Sequence, residues 1–435
     1  MKKVLVLALA LLLTFSFVAC GSGSKDKDAS SGKDGGDSQT LNVWCWDPSF
    51  NIYAIEEAAK IYEKDNPGFK VDVTEMAWDD LQTALVTAAS SGQTEELPDI
   101  FLCQNNAFQK NVTNYPDLFV DISDSEVDFD QFAEAAVGYS LVDGKNYGVP
   151  FDNGTAVVAL RTDILAEAGY TLEDFTDITW DQFIDQGKVV LEKTGKPLLS
   201  GIAGESDTIA IMLQSEGSSL FNDDGSVNIA NNEELKSAIE VYQRLVKEGV
   251  LLEVNSWDEY IATFVSGSVA GAMQGCWILA NVQSADDQSG LWDVTNVPKV
   301  AGVSGATNYS AQGGSSWAIS SNSANSDLAT DFLAKTFGGS VELYDNILPK
   351  TGALSNWLPA ADSDVYNEPQ EYFGGDAVYA KIVEYAGKVP SVNTGVYYYE
   401  GRDAVSDAIT KSLGGADIKT ALKEAEDTVK FDMGQ

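Results

Sequence analysis

The apolar and polar positions after residue 40 fall into alternating blocks. Residues 41–46 (LNVWCW) are almost continuously apolar, the pattern of a short strand. Asp47-Pro48 then offers an N-cap with proline at the first helical position, and Ile52, Ile55, Ala59 and Tyr62 recur at helical spacing. Asn66-Pro67-Gly68 stops that rhythm before Phe69-Lys70-Val71-Asp72-Val73 alternates as a strand. Leu81, Leu85 and Ala88 share a face of a second predicted helix. After Gly92 and Pro98, Asp99-Ile100-Phe101-Leu102 is apolar enough to be buried in a parallel sheet. Strand, helix, strand, helix, strand predicts a doubly wound α/β arrangement.

The first forty residues read differently. Lys2 and Lys3 precede an apolar run over 4–19, broken by Thr14 and Ser16, which has the form of a secretory signal. It is short for a membrane span, which takes about 20 apolar residues. The run ends in Phe17-Val18-Ala19-Cys20-Gly21-Ser22, which resembles a bacterial lipobox, where the cysteine is diacylated and becomes the mature N-terminus. Apart from Ala29 and Gln39, residues 21–39 are Gly, Ser, Asp and Lys with no large apolar side chain, so they read as a flexible tether. The expected order is signal peptide (1–19), lipidated Cys20 with its tether (20–40), then a globular body.

Charge and residue usage narrow the function. Lys+Arg number 27 against Asp+Glu 66, a formal net charge of -39, so nucleic acid is a poor partner and a neutral or cationic ligand a better one. Histidine is absent, which removes His-based triads and His-containing zinc sites. Beyond Cys20 stand Cys45, Cys103 and Cys276, an odd number without metal-ligand spacing, leaving at most one disulfide. There is no P-loop and no GxGxxG after a strand, so any ATPase belongs to another chain. Residues 121–130 are acid-rich but lack the Gly and terminal Glu of a calcium loop. No cofactor and no metal site are expected.

A set of short motifs recurs in a recognisable order: Trp44, Tyr62-Glu63-Lys64-Asp65-Asn66-Pro67-Gly68, Pro98-Asp99-Ile100, and Asp143-Gly144-Lys145-Asn146-Tyr147-Gly148-Val149-Pro150. Thr179-Trp180-Asp181-Gln182-Phe183, Ala272-Met273 with Gly275 and Trp277, and Gly313-Gly314-Ser315-Ser316-Trp317 follow. In these the chain resembles the carbohydrate (family 1) extracellular solute-binding proteins of ABC importers, the maltodextrin-binding type. It departs at Leu160-Arg161-Thr162-Asp163, where the family usually has Tyr-Asn-Lys-Asp. The resemblance implies two discontinuous α/β lobes facing across a ligand cleft. Residues 41–152 plus 299–337 would form the N-lobe and 153–298 plus 338–435 the C-lobe. It further implies a monomer outside the cell membrane that hands a neutral mono- or oligosaccharide to permease subunits.

Sugars present hydroxyls around an apolar ring face, so their sites combine flat aromatics with planar carboxylates and amides. In open α/β lobes such groups gather at the carboxyl ends of strands. Trp46 and Asp47 follow the first predicted strand; Gln104, Asn105 and Asn106 follow the third. Asp152, Asn153 and Thr155 interrupt an apolar stretch at the first crossover. By resemblance, Trp277 and Tyr398, with its neighbour Tyr399, are stacking aromatics, Glu205 and Asp207 line the cleft, and Gly313 lets backbone approach the ligand. Each also has a plainer reading as core ring, cap or turn residue. Carboxylates and aromatics in a cleft also describe a secreted glycoside hydrolase, and the acidity would suit a binding protein for a peptide or polyamine.

Overall fold

The computed structural model describes residues 39–204 and 206–435. The signal, Cys20 and nearly all of the tether, together with the candidate Glu205, lie outside the described residues.

The first predicted strand is Thr40–Cys45, paired in parallel with Lys70–Glu75 on one side and Ile100–Gln104 on the other. Ser315–Ile319 runs antiparallel to Ile100–Gln104, and Gly148–Pro150 antiparallel to Ser315–Ile319, completing five strands. The unbroken apolar run 100–103 has a simple cause. Ile100 and Leu102 pack with Leu41, Val43 and the helix face Ala54, Ile55 and Ala58. Phe101 and Cys103 point the other way, onto Leu81, Leu85 and Ala88. A strand covered by helices on both faces needs apolar side chains at every position.

The first helix spans Asn51–Glu63, starting later than Asp47-Pro48 suggests. Asp47 makes its own turn first: its Oδ1 accepts the Ser49 N–H at 2.8 Å and its carbonyl accepts the Phe50 N–H at 3.2 Å. That side-chain turn delays helical geometry to Asn51.

In the second half, Ala156–Arg161 lies between Gly271–Gly275 and Trp292–Thr295, antiparallel to both, while Leu199–Ile202 and Leu251–Val254 form a separate parallel pair. Ala156, Val158 and Leu160 enter one core, Val157 and Ala159 the other, by the strand period of two. The motif Thr179 to Phe183 is a helix start. Thr179 and Gln182 close a capping box on Trp180–Thr194, and Gly195 ends that helix at φ 73°.

Val297 and Val300 pack in the core that holds Val158, and the chain re-enters the first sheet at Ser315. Helix Val341–Thr351 inserts Leu343, Tyr344 and Ile347 beside Leu41 and Val43, and its Leu348 into the core that holds Val157 and Ala159. Helices Tyr398–Leu413 and Ile418–Asp432 bury Val405, Ile409 and Leu422 in the second half. Among the described residues no helix is long and apolar enough to cross a membrane.

Candidate functional site

The carboxyl ends of the three parallel strands open onto one edge of the first sheet, where the helix Tyr398–Leu413 meets them. Trp46 is held there by its backbone: the N–H groups of Trp46 and Asp47 both donate to Asn51 Oδ1 at 3.0 Å. The Trp46 ring meets Trp78 edge-on, centroids 5.5 Å apart, and Trp78 lies 6.1 Å from Tyr399 at a 38° tilt. Trp78 begins the helix after the second strand, the same topological place as Trp46 after the first. The strand-end reasoning applied to Trp46 would have found it.

Tyr399 donates its hydroxyl to Gln104 Oε1, joining the two halves. Burial holds its phenol well above the usual range, so it stays a donor. The Arg402 guanidinium lies 4.9 Å from the Tyr399 ring centroid and 3.8 Å from Asp207 Oδ1, while Gln274 Nε2 donates to Asp207 Oδ2 at 3.0 Å. Nearby, Lys110 of the first half pairs with Glu400 of the second and lies 5.6 Å from the Tyr397 ring.

Two recesses flank this constellation. The larger has a cavity volume of about 60 Å³ and draws Asn106 and Tyr139 from the first half, with Gln214, Gln312, Tyr398 and Arg402 opposite. Its floor is apolar, from Ile209, Leu213 and Leu220. The smaller, with a cavity volume of about 20 Å³, is lined by Asp207, Trp257, Tyr260, Gln274 and their neighbours. Trp277 stands beside Trp257, centroids 5.8 Å apart, and donates Nε1–H to the Gln312 carbonyl at 3.0 Å. Gly313 has φ 80°, and a Cβ there would come within 3.1 Å of Trp277 Nε1, so this loop needs glycine for both reasons.

Other sequence candidates turn inward. Asn105 Oδ1 accepts from Ser316 Oγ at 2.9 Å and its N–H donates to the Gly314 carbonyl, tying a helix start to the returning strand. Asn153 Oδ1 accepts both the N–H and the hydroxyl of Thr155 at 2.9 Å, and Thr155 is fully buried. Asp152 is buried beside Ser315, which pushes its carboxyl up to about 7 by desolvation. Asp47 is also buried and its carboxyl raised for the same reason, with Asn281 Nδ2 donating to its Oδ2 at 3.3 Å. Asn106, Gly313 and Tyr398 thus line the larger recess and Asp207 the smaller, while Trp46, Gln104 and Tyr399 are linked beside them through Trp78, and Trp277 stands between Gly313 and Trp257. Asp47, Asn105, Asn153 and Thr155 bond within the chain, while Asp152 is buried with its Oδ1 left without a partner. Cys45, Cys103 and Cys276 are free and buried, without a disulfide among them. Arg402, Gln274 and Trp257 were missed. Arg402 follows Tyr399 by three residues, and Gln274 is the last residue but one of its strand.

Residues 57–369, most of the chain, match the family described as bacterial extracellular solute-binding protein. The chain belongs to that family. This solute-binding protein is 37% identical over 387 residues to the lactose-binding protein of Rhizobium radiobacter, spanning 89% of this chain and 91% of that one. It is 24% identical to the arabinooligosaccharide-binding protein of Halalkalibacterium halodurans over 88% of each. Among solved structures it resembles the ABC transporter-associated binding protein of B. animalis subsp. lactis Bl-04, in complex with beta-1,6-galactobiose. That match has a TM-score of 0.77 at 21% identity, covering 91% of this chain and 96% of the other. At that identity the likeness is one of fold.

Proposed function

We propose that this protein captures a neutral sugar or short oligosaccharide between its two halves and delivers it to the permease of an ABC importer, without chemical change. The observation that carries the reading is the meeting of aromatic rings with hydroxyl-pairing groups at one edge of both halves. Trp46, Trp78 and Tyr399 lie on one side and Trp257 and Trp277 on the other, around Gln104, Asp207, Gln274 and Arg402. Rings supply apolar faces and the planar groups pair with hydroxyls. The names of the relatives agree with this class of ligand.

Two further features support transport over catalysis. Among the described residues lining the recesses Asp207 is the one carboxylate, whereas glycoside hydrolysis uses a facing pair. The contacts Lys110 to Glu400 and Tyr399 to Gln104 cross between the halves, as a clamp closing on ligand requires. The lobes proposed are 41–152 plus 299–337 and 153–298 plus 338–435, with Val341–Thr351 packing on the first. The protein acts as a monomer held outside the cell membrane by a lipid on Cys20. Metabolic labelling with a fatty acid checks that anchor, and label retained by Cys20→Ser rules it out.

Calorimetry of the purified protein against neutral mono-, di- and oligosaccharides, short peptides and polyamines tests the ligand class. A saturating cognate sugar at 100 times Kd adds about 2.7 kcal/mol to the folded state and raises Tm. Stabilisation by a polyamine or peptide and by no sugar overturns the reading, and release of reducing sugar from a bound glycan overturns the non-catalytic part.

A further inference from the structure

Three glycines from three separate segments converge on one hydrogen bond, the one that Trp277 Nε1–H donates to the Gln312 carbonyl at 3.0 Å. A Cβ at Gly154 would stand 2.2 Å from that carbonyl oxygen. One at Gly275 would stand 2.4 Å from it and 2.2 Å from Trp277 Nε1, and one at Gly313 would come within 3.1 Å of the same nitrogen. A side chain at residue 154 or 275 therefore does not fit while the bond is made.

The bond lies where the chain passes from one half to the other. On the second-half side, the Ala156 N–H donates to the Ser310 carbonyl at 2.8 Å and the Gln312 N–H to the Gly154 carbonyl at 2.6 Å. On the first-half side, the Gly314 carbonyl accepts the Asn105 N–H and the Ser315 carbonyl the Phe151 N–H, both at 2.9 Å. The changeover falls at Gly313 and Gly314, at φ 80° and 96°. Two residues without a Cβ between two bonded segments can absorb the φ and ψ change of a hinge. Trp277 is anchored on both sides of this passage, since its ring packs on the core of Leu41 and Val43 and on the core of Val157 and Ala159. Gln312 and Gly313 themselves line the larger recess, so a molecule held there touches the hinge segment directly.

We infer that Gly313-Gly314 is a hinge between the halves and that Trp277 is the positioning residue that locks it, its indole N–H pinning the peptide that leads into the hinge. The bond to Gln312 holds the halves at the angle of this structure. A ligand lying against Gln312 and the Trp277 ring keeps the pair together and so favours that angle. The hinge and its lock are independent of what the ligand is, while their coupling to ligand rests on the sugar reading above.

The test combines hydrogen exchange and small-angle scattering on the intact protein with calorimetry against the neutral sugars named above. Trp277→Phe keeps a ring on both cores and has no N–H, and Gly275→Ala drives the N–H and the carbonyl apart with the indole retained. Without sugar, the amides of residues 311–315 are expected to exchange about three- to tenfold faster in both variants, while those of Ala156–Arg161 keep the wild-type rate. The radius of gyration should rise, and affinity for the best-bound sugar should fall by a similar factor. A ring that only stacks on sugar would lower affinity and leave the sugar-free exchange and radius at their wild-type values, and that result overturns the lock. Faster exchange spread evenly over the chain is general loosening and overturns it as well. If wild type binds none of the neutral sugars, the sugar reading falls, and the sugar-free exchange and radius still decide the lock, which separates the two failures.

Discussion

Two polar clusters sit at strand ends in this protein and differ in how far they are tied to the chain. At the junction between the halves, Asn153 and Thr155 bond each other, Asn356 Nδ2 donates to the Asp152 carbonyl at 2.7 Å, and the Asp152 carboxyl is buried beside Ser315. In the second-half recess, Asp207 and Gln274 bond each other through one end and keep the other end as a bare acceptor. Residue type does not distinguish the clusters. Asp152 Oδ1, like Asp207 Oδ1 and Gln274 Oε1, has no partner, so the difference lies in the rest of each cluster: at the junction Asn153, Thr155 and Asn356 bond within the chain, while Asp207 and Gln274 line a recess. Changes at the junction should therefore appear in stability, and changes at the cleft and recess in affinity.

The largest effect expected is in the pH dependence set by Asp152. Its folded carboxyl titrates at about 7 against 3.8 when exposed, so between those values the folded state holds the extra proton. Stability is full below about pH 4 and falls as pH rises through 7, by at most about 4 kcal/mol. Cys276 and Tyr344 are the titratable groups beside it, both held neutral by burial. Asp152→Asn should flatten this slope in urea denaturation from pH 4 to 8; an unchanged slope would assign it to other groups. Gly154→Ala comes next, because a Cβ at residue 154 runs into the Gln312 carbonyl. It should cost about 1–3 kcal/mol by overpacking, read as a fall in Tm, and an unchanged Tm would show the junction to be loose.

At the cleft, Trp277→Ala should weaken sugar binding by about 2 kcal/mol, roughly thirtyfold, in a protein that still folds. Unaltered affinity would reduce Trp277 to a core ring between the two halves. The smallest effect belongs to Lys110→Ala, which removes the ion pair to Glu400. Partly exposed pairs contribute under about 1 kcal/mol, so affinity should change by less than about fivefold and lose some of its salt dependence. A loss as large as that of Trp277→Ala would make this contact a principal clamp.

Much of the fold could be read directly. The apolar run at 100–103, the helical spacing of Ile52, Ile55, Ala59 and Tyr62 before Asn66-Pro67-Gly68, and the Thr179-Gln182 box each depend on neighbours within a few positions. The site was partly legible by the same route. Trp46, Gln104, Asn106 and Tyr399 lie where strand ends or a helix start bring them together. Asp47 misled the reading of the first helix because an aspartate before proline serves equally as a cap or as a side-chain turn, and only Asn51 and Asn281 decide between them.

What the chain's order of residues determined by itself was the alternation of strand and helix, the acidic surface, the absence of histidine chemistry, and aromatics placed at strand ends. Those properties follow from local hydrogen bonding, periodic burial and composition. Tertiary structure alone decided that Arg402, Asp207 and Gln274 form one group, that Trp257 meets Trp277, that Val341–Thr351 packs on the first sheet, and which acceptors are left without partners. Each depends on segments far apart in the chain, and a side chain's last hydrogen bond is set only when every segment packed against it is in place.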